Sequence, residues 1–324
     1  MSEAILVTGG AGYIGCHVVH QLLDRNFTVV VLDDLSTGKA KRVESAHLVI
    51  GSISDHTLVK SILSEFAIGT VVHMAARTDA TGSTLDPLHY YSENTAGTLN
   101  LLSCCKDCGV SKFVFTSTAA VYGSACDQTP VGELHSKRPA NPYGMSKLIA
   151  EQILLDVSFA TGLRYVSLRC FNVAGATMSG HFFRPAKDAK NLVMAACRVA
   201  NERQGSVTIF GTNFRTPDGT GIRDYVHVDD IAAAHLRAID HLNRGGSSLI
   251  LNCGSERGHS VREVLHAVEQ ISGVRVPVLE AEQRSGDVSV LVSDSSSARR
   301  ELSWSPRNNG LDSIVRSALR SEQA

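Results

Sequence analysis

The chain has 324 residues, 43% of them apolar, with 31 Lys and Arg against 32 Asp and Glu and a formal net charge of -1. That length holds a large core and one or two domains, and the charge balance gives no electrostatic reason to expect nucleic acid or a membrane surface as partner. Apolar runs such as 27–32 are far too short to span a bilayer. The opening residues lack the basic and long apolar regions of a signal peptide, so a cytoplasmic location is expected.

The first half alternates strand and helix. Residues 4–7 are a short apolar run, read as a buried strand. Residues 13–26 have helical periodicity, with Ile14, Val18, Val19, Leu22 and Leu23 on one face. A β-branched run over 28–32 ends at Asp33. Residues 48–50, 70–72, 113–116 and 164–168 read as further strands, with helices at about 57–66, 87–108 and 142–161. Pro87 after Asp86 and Pro142 after Asn141 suit a helix's first position behind a side-chain cap. Strands alternating with crossover helices predict an α/β fold, a doubly wound parallel sheet of the Rossmann kind. Downstream, 191–200 reads as helix, 207–210 as strand, 231–241 as helix, 249–252 as strand and 261–272 as helix. Gly and Ser clusters mark turns at 245–248 and 285–297. The expected division is a dinucleotide-binding domain over 1–170 plus about 226–254, and a smaller α/β substrate lobe over about 171–225 plus 255–324.

The run Thr8-Gly9-Gly10-Ala11-Gly12-Tyr13-Ile14-Gly15 sits between the first strand and the first helix. Its glycines let backbone N–H groups approach a pyrophosphate at the helix N-terminus. Asp33 ends the second strand, where a carboxylate hydrogen-bonds a ribose 2′-hydroxyl and repels a 2′-phosphate. The expected cofactor is therefore NAD rather than NADP.

Tyr143 is followed four residues later by Lys147, in Asn141-Pro142-Tyr143-Gly144-Met145-Ser146-Lys147. A phenol is a poor base, with a free pKa of about 10. A lysine one helical turn away lies on the same face and favours the phenolate. Such a pair arises by chance in many helices; its context gives it weight. Thr116, Ser117 and Thr118 close a strand at the carboxyl edge where doubly wound sheets bind ligands. Thr118 then supplies a hydroxyl to orient a substrate oxygen, Tyr143 a base and Lys147 a cation.

The eight cysteines are expected as reduced thiols, in a long chain without an export signal. Cys105-x-x-Cys108 lies in an apolar helical stretch with no second Cys or His pair at ligand spacing, so it reads as helix packing. No histidine is assigned to metal.

These motifs resemble the extended short-chain dehydrogenase/reductases, and among them the UDP-glucose (UDP-galactose) 4-epimerases. The likeness runs through 8–15, 32–38, 72–76, 94–98, 115–123, 141–147 and 168–172. It is most specific over 209–212 and 218–228, and it closes through Arg284-Ser285-Gly286-Asp287 and Arg300-Glu301-Leu302-Ser303-Trp304. The resemblance implies an isomerase. Tyr143 would take the proton of a sugar 4-hydroxyl while hydride passes to NAD, and a transient 4-keto sugar would take it back on its other face. It implies cofactor contacts from Gly9, Gly12, Tyr13, Ile14, Gly15, Asp33, Asp34, Leu35, Thr37, Gly38, Ser52, Ile53, Met74, Ala75, Ala76, Asn94, Thr116, Tyr143, Lys147 and Cys170. It implies substrate contacts from Thr118, Tyr143, Asn172, Asn191, Leu192, Thr208, Phe210, Arg223, Arg284, Asp287 and Leu291. Arg223 and Arg284 suit a diphosphate, and Phe210 would border the uracil. A homodimer through the helices at 87–108 and 142–161 is also implied.

The sequence departs from the family pattern at four places. Ser52 stands where an Asp usually contacts adenine. Thr78 replaces a lysine, Cys170 replaces a tyrosine beside the nicotinamide, and Leu291 is intermediate between residues associated with plain hexoses and with N-acetyl sugars. The expected reaction interconverts UDP-glucose and UDP-galactose. Alternatives are a 4-epimerase of a uronic acid, pentose or N-acetylhexosamine, a nucleotide-sugar dehydratase, and a non-catalytic NAD-binding regulator. Ala119 and Ala120 after Thr118 speak against the dehydratase, whose acid and base would be Asp-Glu there.

Overall fold

The computed structural model describes residues 4–123, 130–177, 191–284, 286–308 and 310–323. Cys126 and Ser285 lie outside the described residues. The chain opens with β1 (Ala4–Thr8), α1 (Tyr13–Leu23), β2 (Val29–Asp33), β3 (His47–Ile50), α2 (His56–Glu65) and β4 (Ile68–His73). It continues through α3 (Ala80–Leu85), α4 (Pro87–Tyr90), a π-helical turn (Tyr91–Ala96), α5 (Gly97–Asp107), β5 (Lys112–Thr118), α6 (Pro142–Thr161) and β6 (Arg164–Cys170). Then come β7 (Asn172–Ala174), α7 (Leu192–Glu202), β8 (Val207–Phe210), β9 (Ile222–His227), α8 (Val228–Asn243) and β10 (Leu249–Cys253). The last elements are β11 (Gly258–Ser260), α9 (Val261–Ser272), β12 (Val278–Ala281), β13 (Val290–Leu291), α10 (Ser296–Leu302) and α11 (Leu311–Gln323).

Seven strands form one sheet in the order β10-β6-β5-β4-β1-β2-β3. β1 runs parallel to β2 and β4, with Leu6 opposite Val30 and Val71; β2 is parallel to β3, and β4 to β5. The apolar runs of β1 and β2 are buried along their whole length, as both faces of a parallel sheet require. The expected doubly wound sheet is present, and its order reverses between β1 and β4. Ligands of such sheets bind at that reversal, outside the carboxyl ends of the strands.

The described residues divide into two compact units. The first takes Met1–Val121, Asn141–Arg169 and Ala232–Leu251; the second takes Tyr122–Ala140, Cys170–Ile231 and Asn252–Ala324. In the first, Leu6, Leu32, Val71 and Phe113 pack with Val59, Leu101 and Leu154 of the covering helices. Full burial of each such side chain contributes about 1.5–3 kcal/mol. In the second, α7, α9 and α11 share a core of Val193, Cys197, Val264, Val268, Ile314 and Val315. There β9 pairs with β7, β11 and β13, and β8 pairs with β12.

Several local expectations are corrected. The single helix expected over 87–108 is α4, a π turn and α5, because one widened turn at Tyr91–Ala96 interrupts the regular ladder. The first helix stops at Leu23 rather than Asn26, and Asn26 takes a left-handed conformation with φ 61. The expected turn region 285–297 contains β13 and the start of α10. β9 and α11 were not anticipated.

Candidate active site

The loop after β1 is shaped by what it cannot accommodate. A Cβ on Gly9 would lie 2.6 Å from the Ala75 nitrogen, and one on Gly15 would lie 2.2 Å from the Gly9 carbonyl oxygen. Only glycine lets α1 start this close to its own loop and to the end of β4. The α1 N-cap is Gly12, which offers no side-chain acceptor, and the first turn carries no acidic residue. The first helical N–H groups thus end at a positive helix terminus with no acidic residue in its first turn, the situation a phosphate fills. Tyr13 and Ile14, in that first turn, are half-buried.

Asp33 ends β2 with both carboxylate oxygens engaged: Oδ2 accepts from Ala11 N and Oδ1 from Leu35 N, each at 2.9 Å. Burial pushes its pKa up, and the two backbone donors pull the other way. Leu35 takes a left-handed conformation, φ 58, and Asp34 accepts from Ser36. Asp34 and Thr37 are exposed, and Leu35 and Gly38 half-buried, around the end of β2. This hydrogen-bonded loop beside a carboxylate fits an adenosine ribose. Ser52 spends its hydroxyl accepting from Ser54 N at 3.1 Å. Ile53 packs into the core. Met74, Ala75 and Ala76 follow β4 and are half-buried.

A buried relay joins these strands to the helices. The Thr98 hydroxyl donates to the Asn94 carbonyl at 2.6 Å, so it accepts from His73 Nε2 at 2.8 Å. His73 Nδ1 must then accept from the Thr8 hydroxyl at 2.7 Å. Burial, aided by the nearby Lys147 cation, holds the His73 pKa well below its ordinary value, so the ring is neutral. Asn94 is buried in the π turn, where its amide accepts from Arg77 N and donates to Arg77 O and Ser146 Oγ. Its side chain therefore braces the segment after β4 against α6.

At α6, Asn141 caps the helix by accepting from Gly144 N at 2.9 Å, and Pro142 opens it. Tyr143 is in the first turn and half-buried, where the positive helix end favours a phenolate. Lys147, one turn on, is buried. Its ammonium donates to Thr116 O at 2.9 Å and lies 4.7 Å from the centroid of the Phe115 ring. His73 stacks on that same ring, centroids 5.6 Å apart. Thr116 Oγ1 is hydrogen-bonded to His235 Nε2 at 2.8 Å. Half-buried Thr118 closes β5, and its hydroxyl accepts from Ala120 N at 3.2 Å. Thr118, Tyr143 and Lys147 are thus carried by one strand and one helix of the first unit.

The second unit carries the residues expected to hold the nucleotide half. The Arg284 guanidinium lies 4.4 Å from the Phe210 ring centroid, and its Nε is 3.3 Å from Asp287 Oδ2. Arg223 Nη2 is 4.0 Å from Asp287 Oδ1. Leu291 of β13 pairs in register with Arg223 of β9 and is buried. Asn191 caps α7 by accepting from Val193 N and Met194 N and donates to Val173 O. Leu192 and Thr208 are half-buried, and Asn172 is exposed on β7. Cys170 is buried beside Cys253, whose thiol burial pushes up. Asp224 was not singled out from sequence, although it stands beside Arg223. Fully buried, it accepts from the backbone and hydroxyl of both Ser255 and Ser293, and from Glu256 N. No group able to hold a metal ion occurs among the described residues, and no described helix is long and apolar enough to cross a membrane.

Residues 5–254 match the NAD dependent epimerase/dehydratase family. A UDP-glucose 4-epimerase of Azospirillum brasilense is 46% identical over 324 residues, covering 100% of this chain and 93% of that one. The crystal structure of UDP-glucose 4-epimerase from Brucella ovis in complex with NAD is 37% identical, with TM-score 0.94 over 98% of each chain. That of Bifidobacterium longum UDP-glucose 4-epimerase, in complex with NAD+ and UDP, is 34% identical, with TM-score 0.94 over 99% of this chain and 98% of that one.

Proposed function

The chain belongs to the NAD-dependent epimerase/dehydratase family, and on that premise we propose that Tyr143, Lys147 and Thr118 carry its chemistry. It is an isomerase, an NAD-dependent UDP-sugar 4-epimerase, and its substrate pair is UDP-glucose and UDP-galactose. The first unit holds NAD and the second the nucleotide sugar. Gly9 to Gly15 receive the pyrophosphate and Asp33 the adenosine ribose. NAD supplies a hydride acceptor that returns what it takes.

Tyr143 removes the proton of the sugar 4-hydroxyl and later gives it back, with Thr118 orienting that oxygen. The Lys147 ammonium and the positive start of α6 both favour the phenolate over the phenol. The observation that carries the assignment is the hold on Lys147. The Thr116 carbonyl and the Phe115 ring fix its ammonium one turn from Tyr143, while His73 beneath the same ring stays neutral and does not compete as a cation. Arg223 and Arg284 take the diphosphate, Asp287 steadies both guanidinium groups, and Phe210 borders the uracil.

The proposal extends to a cytoplasmic homodimer. Leu85, Leu88, Leu99, Leu155 and Phe159 are large apolar side chains exposed on the first unit, four of them on α4 to α6, and a second copy would cover them. The described cysteines are free thiols, as a reducing compartment maintains.

Purified protein incubated with UDP-galactose, without added reductant, is expected to form UDP-glucose. Tyr143→Phe is expected to lower turnover by about a thousandfold or more while bound NAD, measured after denaturation, is retained. Wild-type turnover in Tyr143→Phe would remove Tyr143 as the base.

A further inference from the structure

Below Tyr143 and Lys147, a third residue on the same side of α6 has no part in the chemistry described above. The geometry points to Glu151 as a positioning residue that sets the height of α6 over β5, and so of Tyr143 over Thr118, by gripping Ser117. The inference rests on the assignment of Tyr143, Lys147 and Thr118.

Glu151 is 3% exposed, four residues beyond Lys147 and eight beyond Tyr143. Its Oε1 accepts from Ser117 Oγ at 2.5 Å, from Arg169 Nε at 3.0 Å and from Ser167 Oγ at 3.4 Å. Its Oε2 accepts from Arg169 Nη2 at 2.7 Å. Arg169 is among the largest fully buried side chains of the described residues. One carboxylate thus fastens the helix to β5 and β6 together.

The place of attachment matters more than its strength. Ser117 stands between Thr116, whose carbonyl holds Lys147, and Thr118, whose hydroxyl aims the substrate. A fixed Ser117 fixes both neighbours relative to α6. For stability alone, a buried ion pair is a poor choice, because apolar residues of equal volume often do as well or better. Hydrogen bonds are directional where apolar packing tolerates sliding, and a misplacement of about 1 Å costs about a hundredfold in rate.

The experiment measures Ser117→Ala and Glu151→Gln beside wild type and Tyr143→Phe. Ser117→Ala removes one hydroxyl and leaves the Glu151–Arg169 pair intact. Its kcat is expected to fall about tenfold, with KM for UDP-galactose within about twofold. Bound NAD content should match wild type, the melting temperature should fall by only a few degrees for the one lost buried hydrogen bond, and single-turnover reduction of the bound NAD, measured well below that temperature, should slow with kcat. Glu151→Gln keeps the shape, loses the charge and should slow further. A wild-type kcat in folded Ser117→Ala overturns the proposal. So does a loss of kcat matched by a loss of bound NAD or of folded protein at the assay temperature, which would mark a purely structural role. If Glu151→Gln does not fold, Ser117→Ala decides alone. An active Tyr143→Phe would instead refute the underlying base assignment, whereas an inactive Tyr143→Phe with unimpaired Ser117→Ala refutes only the positioning role.

Discussion

His73 sits where a protonated imidazole would be out of place. Its Nδ1 accepts from Thr8 and its Nε2 donates to Thr98, so a second ring proton would require Thr8 to turn its hydroxyl away. Burial is the larger reason for its depressed pKa, with the Lys147 cation second. The unfolded chain takes up a proton near pH 6.5 and the folded chain only well below it. Unfolded molecules therefore bind more protons in that window, and stability falls as pH drops below about 6.5. His73→Asn is expected to cost about 1–3 kcal/mol at neutral pH, because the relay loses a partner. It should also flatten the decline in urea midpoint on going from about pH 7 to pH 5. An unchanged decline would locate its source elsewhere. None of this was legible in sequence, where residues 70–72 read as an ordinary strand: the ring matters through Thr98, twenty-five residues away. The expectation for Asp33 needs only local signals, a strand end after a glycine loop; the structure adds that its carboxylate accepts from Ala11 N, twenty-two residues away.

The elements that sequence located best are those with a strong local signal. β1 and β2 are short apolar runs, and α6 carries its Asn141 cap and Pro142 start in the sequence itself. The interrupted helix at 87–107 was read as continuous because hydrophobic spacing tolerates one widened turn. α3 is Ala-Thr-Gly-Ser-Thr-Leu, its central Thr-Gly-Ser-Thr poor helix formers held by the Asp79 cap, whose carboxylate accepts from Thr81 N at 3.0 Å. α11 had a usable signal, Ile314, Val315, Ala318 and Leu319 at helical spacing, within an otherwise polar segment. At the first loop, Gly15→Ala sets a Cβ against the Gly9 carbonyl at a separation no real contact shows. The start of α1 must then move away from the loop. The variant is expected to purify with less than about a tenth of the wild-type NAD content, a loss of roughly 1.4 kcal/mol or more in cofactor binding. Full occupancy in Gly15→Ala would show that the phosphates do not depend on that close approach.

Across the molecule, the doubly wound parallel character of one sheet could be expected from alternating elements, whereas its strand order and most pairings of β7, β9, β11, β12 and β13 could not. β7, β11, β12 and β13 have two to four residues, too few to show an alternation of their own, and β9, Ile-Arg-Asp-Tyr-Val-His, does not alternate. Quaternary structure is tested at α6, where Leu155 and Phe159 are four residues apart and exposed, Phe159 at 94%. On the proposed dimer, Leu155→Asp with Phe159→Asp is expected to shift the mass from two copies to one in sedimentation, since unpaired carboxylates disfavour an apolar contact by several kcal/mol; an unchanged mass would overturn that interface. Asp224 has a consequence of a different kind. It ties β9, which carries Arg223, to Ser293, two residues past Leu291. The proposed phosphate clamp and the wall expected to border the sugar hang from one peg. A lineage that acquires a new sugar cannot easily do so by sliding that wall, because the clamp would travel with it. Evolution, or a designer, is left with exchanging the side chain at 291 in place, so that diversity of substrate here should appear as changes of residue on an unmoving frame.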